Sequence, residues 1–342
     1  DVDTAYIAVN TLRLDDLRPH IYRTRDGGKS WRRIVAGLPD GATINAVRED
    51  PVRRGLLFAA SELHVSVSFD DGDQWQSLRL NMPATSIRDI VIKDDDLVAG
   101  THGRGFWILD DISPLRQITP SILNAPAYLF RPPVAWRFRW NKNTDTPLPP
   151  DEPAMPNPPD GVTISYFVGR GTPGPVTLEI LEPEGEVIRR YSSDDPEPPP
   201  VRAPNLPDYW IRPHQPLSAA PGLHRFVWDV RYAPPAVTTQ SYAIAAIHRN
   251  TPRSPQGLFV MPGTYQVRLT VGGRVYRQPV TVRLDPRVKT PVADLLLQFK
   301  LSRTVDRLMR DLAAMREGAS AERLAAMQRV YQPLPGLLAQ LQ

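Results

Sequence analysis

The chain has 342 residues, is 41% hydrophobic and 23% charged, and contains no cysteine, which suits two or three globular domains and excludes a disulfide scaffold, a thiolate metal site and a cysteine nucleophile. Proline supplies 38 residues, about twice the average share, which disfavours long helical bundles and doubly wound sheets and favours a β-rich chain with long connections. The formal charge is +4, with 36 Arg and 5 Lys among the 41 basic residues and acids interspersed throughout; no basic block marks a nucleic-acid face.

Residues 1–118 read as short strands punctuated by Gly and Asp. Ala5–Leu12, Ile21–Thr24 and Trp31–Val35 form most of one group. Ile44–Arg48, Leu56–Ala60, Leu63–Phe69 and Trp75–Leu78 form a second. Ile87–Lys93, Leu97–Gly100, Phe106–Leu109 and Leu115–Ile118 form a third. Residues 119–160 are proline-rich and read as a linker or wrapping segment. Within it, Trp136-Arg137-Phe138-Arg139-Trp140 alternates rings and guanidiniums. As a strand it sets three rings on one face, either as a ligand-stacking platform built on Trp136 and Trp140 or as an inter-domain strand that buries them.

Residues 161–290 carry further strand runs: Val162–Val168, Val176–Leu181, Val187–Tyr191, Gly222–Asp229 and Met261–Leu269. A hairpin spans Val267–Val282 and turns at Gly272-Gly273. This spacing predicts a β-sandwich, with Asp194–Pro221 and Ala233–Pro262 as long insertions. Gly169-Arg170-Gly171-Thr172-Pro173-Gly174 runs from strand to strand, so it reads as a loop rather than a phosphate cradle. Residues 291–342 are helical. Thr290 as N-cap and Pro291 as first helical residue start a helix. Leu301, Val305, Leu308, Leu312 and Met315 give its apolar stripe, and Gly318 ends it. A second helix with Leu324, Met327, Val330 and Tyr331 completes a docked helical hairpin. No window holds 18 uninterrupted apolar residues, so no membrane-spanning helix is predicted.

The first zone contains a repeat. Thr24-x-Asp26-x-Gly28-x-x-Trp31 and Ser68-x-Asp70-x-Gly72-x-x-Trp75 share one pattern, with their aspartates 44 residues apart. A decayed third copy falls at Ile108-Leu109-Asp110-Asp111. The carboxylate in this pattern can accept backbone N–H groups of the following turn. The glycine supplies a positive φ, and the tryptophan buries a large apolar area between neighbouring groups. A period near 40–45 residues with several strands per unit is the signature of propeller blades. Just under three blades leave open sheet edges, and closure takes about four. The expectation is therefore a larger protein whose missing N-terminal blades are this chain's first partner.

The pattern resembles the Asp-box, or BNR, repeat of sialidases, sortilin-type receptors and xyloglucan-active glycosidases. Leu14-Asp15-Asp16-Leu17-Arg18-Pro19, Val67–Gly72 and Thr101-His102-Gly103-Arg104-Gly105-Phe106-Trp107-Ile108-Leu109-Asp110-Asp111 extend the likeness to the C-terminal third of large bacterial glycosyl-hydrolase-like or sortilin-like (VPS10-like) proteins. Ala60-Ser61-Glu62-Leu63-His64 departs from the Gly-rich segment that family carries. Gly222 to Asp229, followed by Pro262-Gly263-x-Tyr265-x-Val267-x-Leu269, resembles the Ig-like module of flagellar hook-capping proteins. The resemblance implies a mainly β chain: a partial Asp-box β-propeller of about three blades over 1–118, a linker over 119–160, an Ig-like β-sandwich over 161–290 and a helical hairpin over 291–342. It also implies a secreted, periplasmic or envelope location. The Asp-box residues Thr24, Asp26, Gly28, Trp31, Ser68, Asp70, Gly72 and Trp75 are then structural.

Chemistry-bearing motifs are sparse. His20, His64, His102, His214, His224 and His248 show no metal-ligand spacing, and neither a metal nor a cofactor is expected. A glycosidase needs two carboxyls about 5–10 Å apart. The doublets Asp15-Asp16, Asp70-Asp71 and Asp110-Asp111, read as strand residues, point to opposite faces. Asp94-Asp95-Asp96 reads as a solvated turn more readily than as a calcium site. His102 and Arg104, beside the central channel that a propeller implies, are the candidate ligand contacts, together with Trp136 and Trp140. The leading expectation is a non-catalytic binding or structural protein that takes glycan or protein. The alternatives are a glycoside hydrolase with its catalytic acids on absent blades, and a sorting receptor by analogy of fold.

Overall fold

The computed structural model describes residues 2–139, 149, 151–152, 157–199, 206–235, 241–242, 247–315 and 320–341. The chain is mainly β and divides into two units, Asp1–Thr119 and Pro120–Gln342.

Three antiparallel sheets follow one another in the first unit. The first holds β1 (Ala5–Ala8), β2 (Ile21–Thr24) and β3 (Arg32–Arg33). The second holds β4 (Ile44–Glu49), β5 (Leu57–Ser61), β6 (Val65–Ser68) and β7 (Gln76–Ser77). The third holds β8 (Ile87–Lys93), β9 (Asp96–Thr101) and β10 (Phe106–Leu109). Each sheet is a meander, so strands adjacent in sequence pair in space. β5 is interior to its sheet and buries all five of its residues. Ile21 and Ile34 from the first sheet interlock with Ile44, Val47, Leu57, Ala59 and Trp75 from the second.

The run Leu115–Ile118, predicted as the outer strand of the third group, is instead part of the helix α1 (Ser113–Gln117). Pro114 sits at its first turn, where a missing N–H costs nothing and a fixed φ is preorganised; a paired strand has no such use for it. The decayed third repeat accordingly does not turn back into a strand. Asp111 takes φ 54°, its N–H donates to Asp96 Oδ1 at 2.9 Å, and its carboxylate accepts the Ser113 N–H at 3.1 Å.

The second unit opens with α2 (Pro120–Leu123), β11 (Ala127–Leu129) and β12 (Ala135–Arg137). It continues with β13 (Val162–Val168), β14 (Val176–Leu181), β15 (Val187–Ser192) and β16 (Gly222–Trp228). A small pair, β17 (Ser241–Tyr242) and β18 (Arg253–Ser254), precedes β19 (Gly263–Val271) and β20 (Arg274–Leu284). Two larger sheets, β11-β13-β16 and β12-β20-β19-β14-β15, share one core. Alternation sets the inner face of β19: Tyr265, Val267, Leu269 and Val271 are buried. Cross-strand pairs Leu178–Leu269 and Ile180–Val267 close it against β14. Trp228 is fully buried and donates its indole N–H to Arg231 O at 3.0 Å.

The segment expected as a linker is thus partly built into these sheets. Ala127, Leu129, Phe130 and Ala135 are buried, because apolar residues between the prolines reach the shared core. Among the described residues, the aromatic–arginine run is strand over Ala135–Arg137, paired parallel with β20. Over this stretch Arg137, not Trp136, turns inward. Arg137 stacks 5.1 Å over Phe259 and donates to Val260 O at 2.9 Å, while Trp136 is 45% exposed.

Three helices close the chain: α3 (Val292–Ala314), α4 (Ala321–Tyr331) and α5 (Leu334–Leu341). The expected hairpin therefore has a third helix among the described residues, and Pro291 rather than Thr290 holds the N-cap. Gly318 lies outside the described residues. The predicted stripe is also rotated. Val305 and Met309 pack with Tyr331, Leu334 and Leu338 on Leu258, with Leu312 alongside, whereas Leu301, Leu308 and Met315 are exposed. Spacing fixed the period of α3; the location of its partner surface fixed which of two apolar stripes is covered.

Candidate functional site

The repeated motif builds two near-identical turns. In the first, the Thr24 hydroxyl donates to Asp26 Oδ1 at 2.8 Å and accepts the Gly28 N–H at 2.9 Å. Asp26 also accepts the Ser30 N–H and hydroxyl at 2.9 and 2.6 Å. In the second, Ser68 donates to Asp70 at 2.8 Å and accepts the Gly72 N–H at 2.9 Å, and Asp70 accepts the Gln74 N–H at 2.9 Å. The Ser30 hydroxyl, then its N–H and the Thr24 hydroxyl, bring the Asp26 carboxyl down to about 2. Both carboxylates are occupied in holding their turns, which is structural work. Trp75 is buried, but Trp31 is 41% exposed and folds its indole N–H onto Gly28 O at 3.2 Å. The difference lies in the neighbour: Trp75 meets Ile34 of the preceding sheet, and Trp31 has no such sheet among the described residues.

A polar row runs along the sheet ends opposite in strand direction to these turns, where β5 turns into β6 and β9 into β10. Both β4 and β8 carry a bulge one residue after their first isoleucine, at Asn45 and at Arg88. A bulge re-aims a side chain out of strand alternation. Here it turns both side chains onto Glu62, in the β5–β6 turn. Asn45 Nδ2 and Arg88 NH1 each donate to Glu62 Oε1 at 2.9 Å. Asn45 also donates to Ile87 O at 2.8 Å, and Asn10 Nδ2 donates to Asn45 Oδ1 at 2.5 Å. The turns are anchored alike: the Glu62 N–H donates to Thr43 O and the His102 N–H to Ser86 O, both at 2.9 Å.

The row thus joins three sheets through Asn10, Asn45, Glu62 and Arg88, with His102 on the next turn. Burial pushes the Glu62 carboxyl up, but the Ser86 hydroxyl, the Asn45 amide and the charges of Arg88 and His102 together hold it below its usual range. His102 and Arg104 occupy the tight β9–β10 turn, where Gly103 and Gly105 take positive φ. Both side chains are exposed. Trp136 stands on β12 in the second unit, and Trp140 lies outside the described residues. Among the described residues no group of three or more His, Asp or Glu side chains is arranged to hold a metal. No described helix is long and apolar enough to cross a membrane.

Asn45, Glu62 and Arg88 were not singled out in the sequence. A signal for them existed. Thr43-Ile44-Asn45 and Ser86-Ile87-Arg88 repeat at a spacing of 43 residues, and Ser61-Glu62 and Thr101-His102 at 40.

Glu62 should leave a pH signature. Its folded-state value lies below the unfolded value of about 4.3, so its stabilising share is complete above that value and is lost as pH falls through the folded value. Arg88 is half-exposed, so the share is roughly 1 kcal/mol. We expect Glu62→Gln to melt below wild type at neutral pH and the gap to close under acid. Thermal melts across pH check this, and a gap that widens under acid contradicts it.

A comparison with protein-family models gives no match, and neither does one with curated proteins. Solved structures similar to the chain include an ancestral GH74 enzyme (18% identity over 30% of this chain and 13% of that one, TM-score 0.24). A second is YCF48 bound to D1 peptide (15%, 51% and 48%, TM-score 0.22). A third is the extracellular domain of a protein described as a one-component system of B. thetaiotaomicron (9%, 79% and 29%, TM-score 0.23). The chain spans less than half of each of these structures. Likenesses of this size carry no argument about its function.

Proposed function

We propose that the three sheets of the first unit are successive blades of an Asp-box propeller completed by further blades, and that the two larger sheets of the second unit form an Ig-like sandwich. On this reading the chain belongs to a secreted or envelope-located, non-catalytic binding protein. Its ligand, a glycan or a protein surface rich in hydroxyl and amide groups, docks on the row Asn10–Asn45–Glu62–Arg88–His102. The observation that supports this is the repeated bulge. Two consecutive sheets spend an irregularity at the same place to aim a polar side chain at one carboxylate, and the resulting donors and acceptors are fixed before any ligand arrives. The carboxylate is held ionised by an amide and a guanidinium, which suits hydrogen-bond acceptance better than proton donation.

The test is a glycan-array and pull-down screen on the intact protein and on Arg88→Ala, with a parallel assay for reducing ends. Binding that Arg88→Ala weakens by about tenfold or more, without hydrolysis, supports the reading. Release of reducing ends by the wild type replaces it with the glycoside hydrolase alternative.

A further inference from the structure

A cleft of about 810 Å³ opens at one end of the second unit. There the end of β13, the start of β16 and the β19–β20 turn converge on the segment after α2. Its volume lies within the range of small-ligand sites. Two guanidiniums line it, Arg170 and Arg274, and no acidic residue does. Neither arginine forms an ion pair among the described residues, although ion pairs are common elsewhere in the chain. The loop carrying Arg170 is the Gly-rich segment that sequence alone reads as a plain connection.

This loop is held rather than loose. The Gly169 N–H and the Thr172 hydroxyl both donate to Pro126 O, at 2.7 and 2.8 Å. Gly169 cannot be larger, since a Cβ would lie 2.5 Å from Ala125 O. At Gly171 and Gly222, by contrast, a Cβ would meet nothing within 4 Å. The lip is therefore bare where a ligand would pass and fixed where the loop is anchored. Phe167, half-buried, adds an apolar wall.

We propose that this cleft binds the carboxylates of an acidic oligosaccharide. Arg170 and Arg274 supply planar forks that match carboxylates. Phe167 and the prolines of the wall take the C–H faces of sugar rings. A peptide is less well served, because strand ends and turns line the cleft, and they offer no length of strand edge for a backbone ladder. No residue of this cleft belongs to the polar row of the first unit, so the two readings stand or fall separately.

The experiment is isothermal titration of the full chain with hexagalacturonate and with its methyl ester, which keeps the sugar backbone and caps the charges. The acid form should bind and the ester should not. Arg170→Ala/Arg274→Ala should weaken binding by about tenfold or more with an unchanged melting temperature. No binding of the acid form at millimolar concentration, equal binding of the ester, or an unaffected double variant overturns the proposal. So does tighter binding of a short peptide with a free C-terminal carboxylate. The acid–ester contrast needs only wild-type protein, so it can still overturn the proposal if the double variant fails to fold.

Discussion

Asp50→Ala will lower the stability of the first unit by about 3–5 kcal/mol, because it removes the buried partner of the Arg116 guanidinium and the acceptor that shapes the turn after β4. The Asp50 carboxylate is fully buried and Arg116 nearly so, with Nε at 2.9 Å from Oδ2. Asp50 also shapes its own turn, accepting the N–H groups of Val52 and Arg53 at 2.9 and 2.6 Å. Arg53 in turn donates to the carbonyls of Leu115 and Ile118 at 2.7 and 2.8 Å, and Arg116 also pairs with Asp95 across the β8–β9 turn. One carboxylate therefore ties the second sheet, the third sheet and α1 together. A drop in melting temperature on the order of 10 °C or more is expected. Asp50→Asn, which keeps an acceptor for the turn but removes the charge, should fall between. Arg116→Met should lose much of its own cost in the Asp50→Ala background, because the pair acts as a unit. Thermal and urea melts of wild type and the four variants measure this; strict additivity, or an Asp50→Ala protein that melts with wild type, defeats the account.

Sequence and structure part company along a clear physical line. The turns of the repeated motif, the strand runs of the first two sheets and the β19–β20 hairpin at Gly272-Gly273 were legible, because short-range hydrogen bonds and positive φ dictate them within a few residues. The β4 and β8 bulges were not. An extra residue shifts the alternation that reveals a strand, so Asn45 and Arg88 look like ordinary outward residues until the two repeats are aligned. The helical identity of Ser113–Gln117 turned on Pro114, whose meaning depends on whether a paired strand lies beside it. The covered stripe of α3, the inward side of β12 and the incorporation of Ala127–Ala135 into the core all depend on partners far away in sequence. His102 was found as a loop residue, but the carboxylate whose ionisation it supports, Glu62, lies 40 residues earlier on another sheet.

Trp75→Ala should cost about 3–5 kcal/mol and Trp31→Ala less than about 1 kcal/mol, although the two tryptophans close the same motif. Trp75 is 3% exposed, packs into the cluster of Ile21, Ile34 and Leu57, and donates its indole N–H to Ile34 O at 2.9 Å. Its backbone N–H continues the bridge by donating to Ala36 O at 2.8 Å. The chains approach so closely there that a Cβ on Gly37 would stand 2.3 Å from Trp75 O. Trp75→Phe keeps most of the buried area but leaves Ile34 O unpaired, so it should sit between, at about 1–3 kcal/mol. Trp31 is 41% exposed and, among the described residues, has no second sheet to hold. If it packs against a further blade in a longer form of the protein, Trp31→Ala will destabilise that form and leave the present chain unchanged. Melts of both variants in both lengths test this: equal costs for Trp31 in the two forms would remove the support that the motif lends to a continuing propeller, whereas a cost appearing only in the longer form would make Trp31 the counterpart of Trp75 one blade earlier.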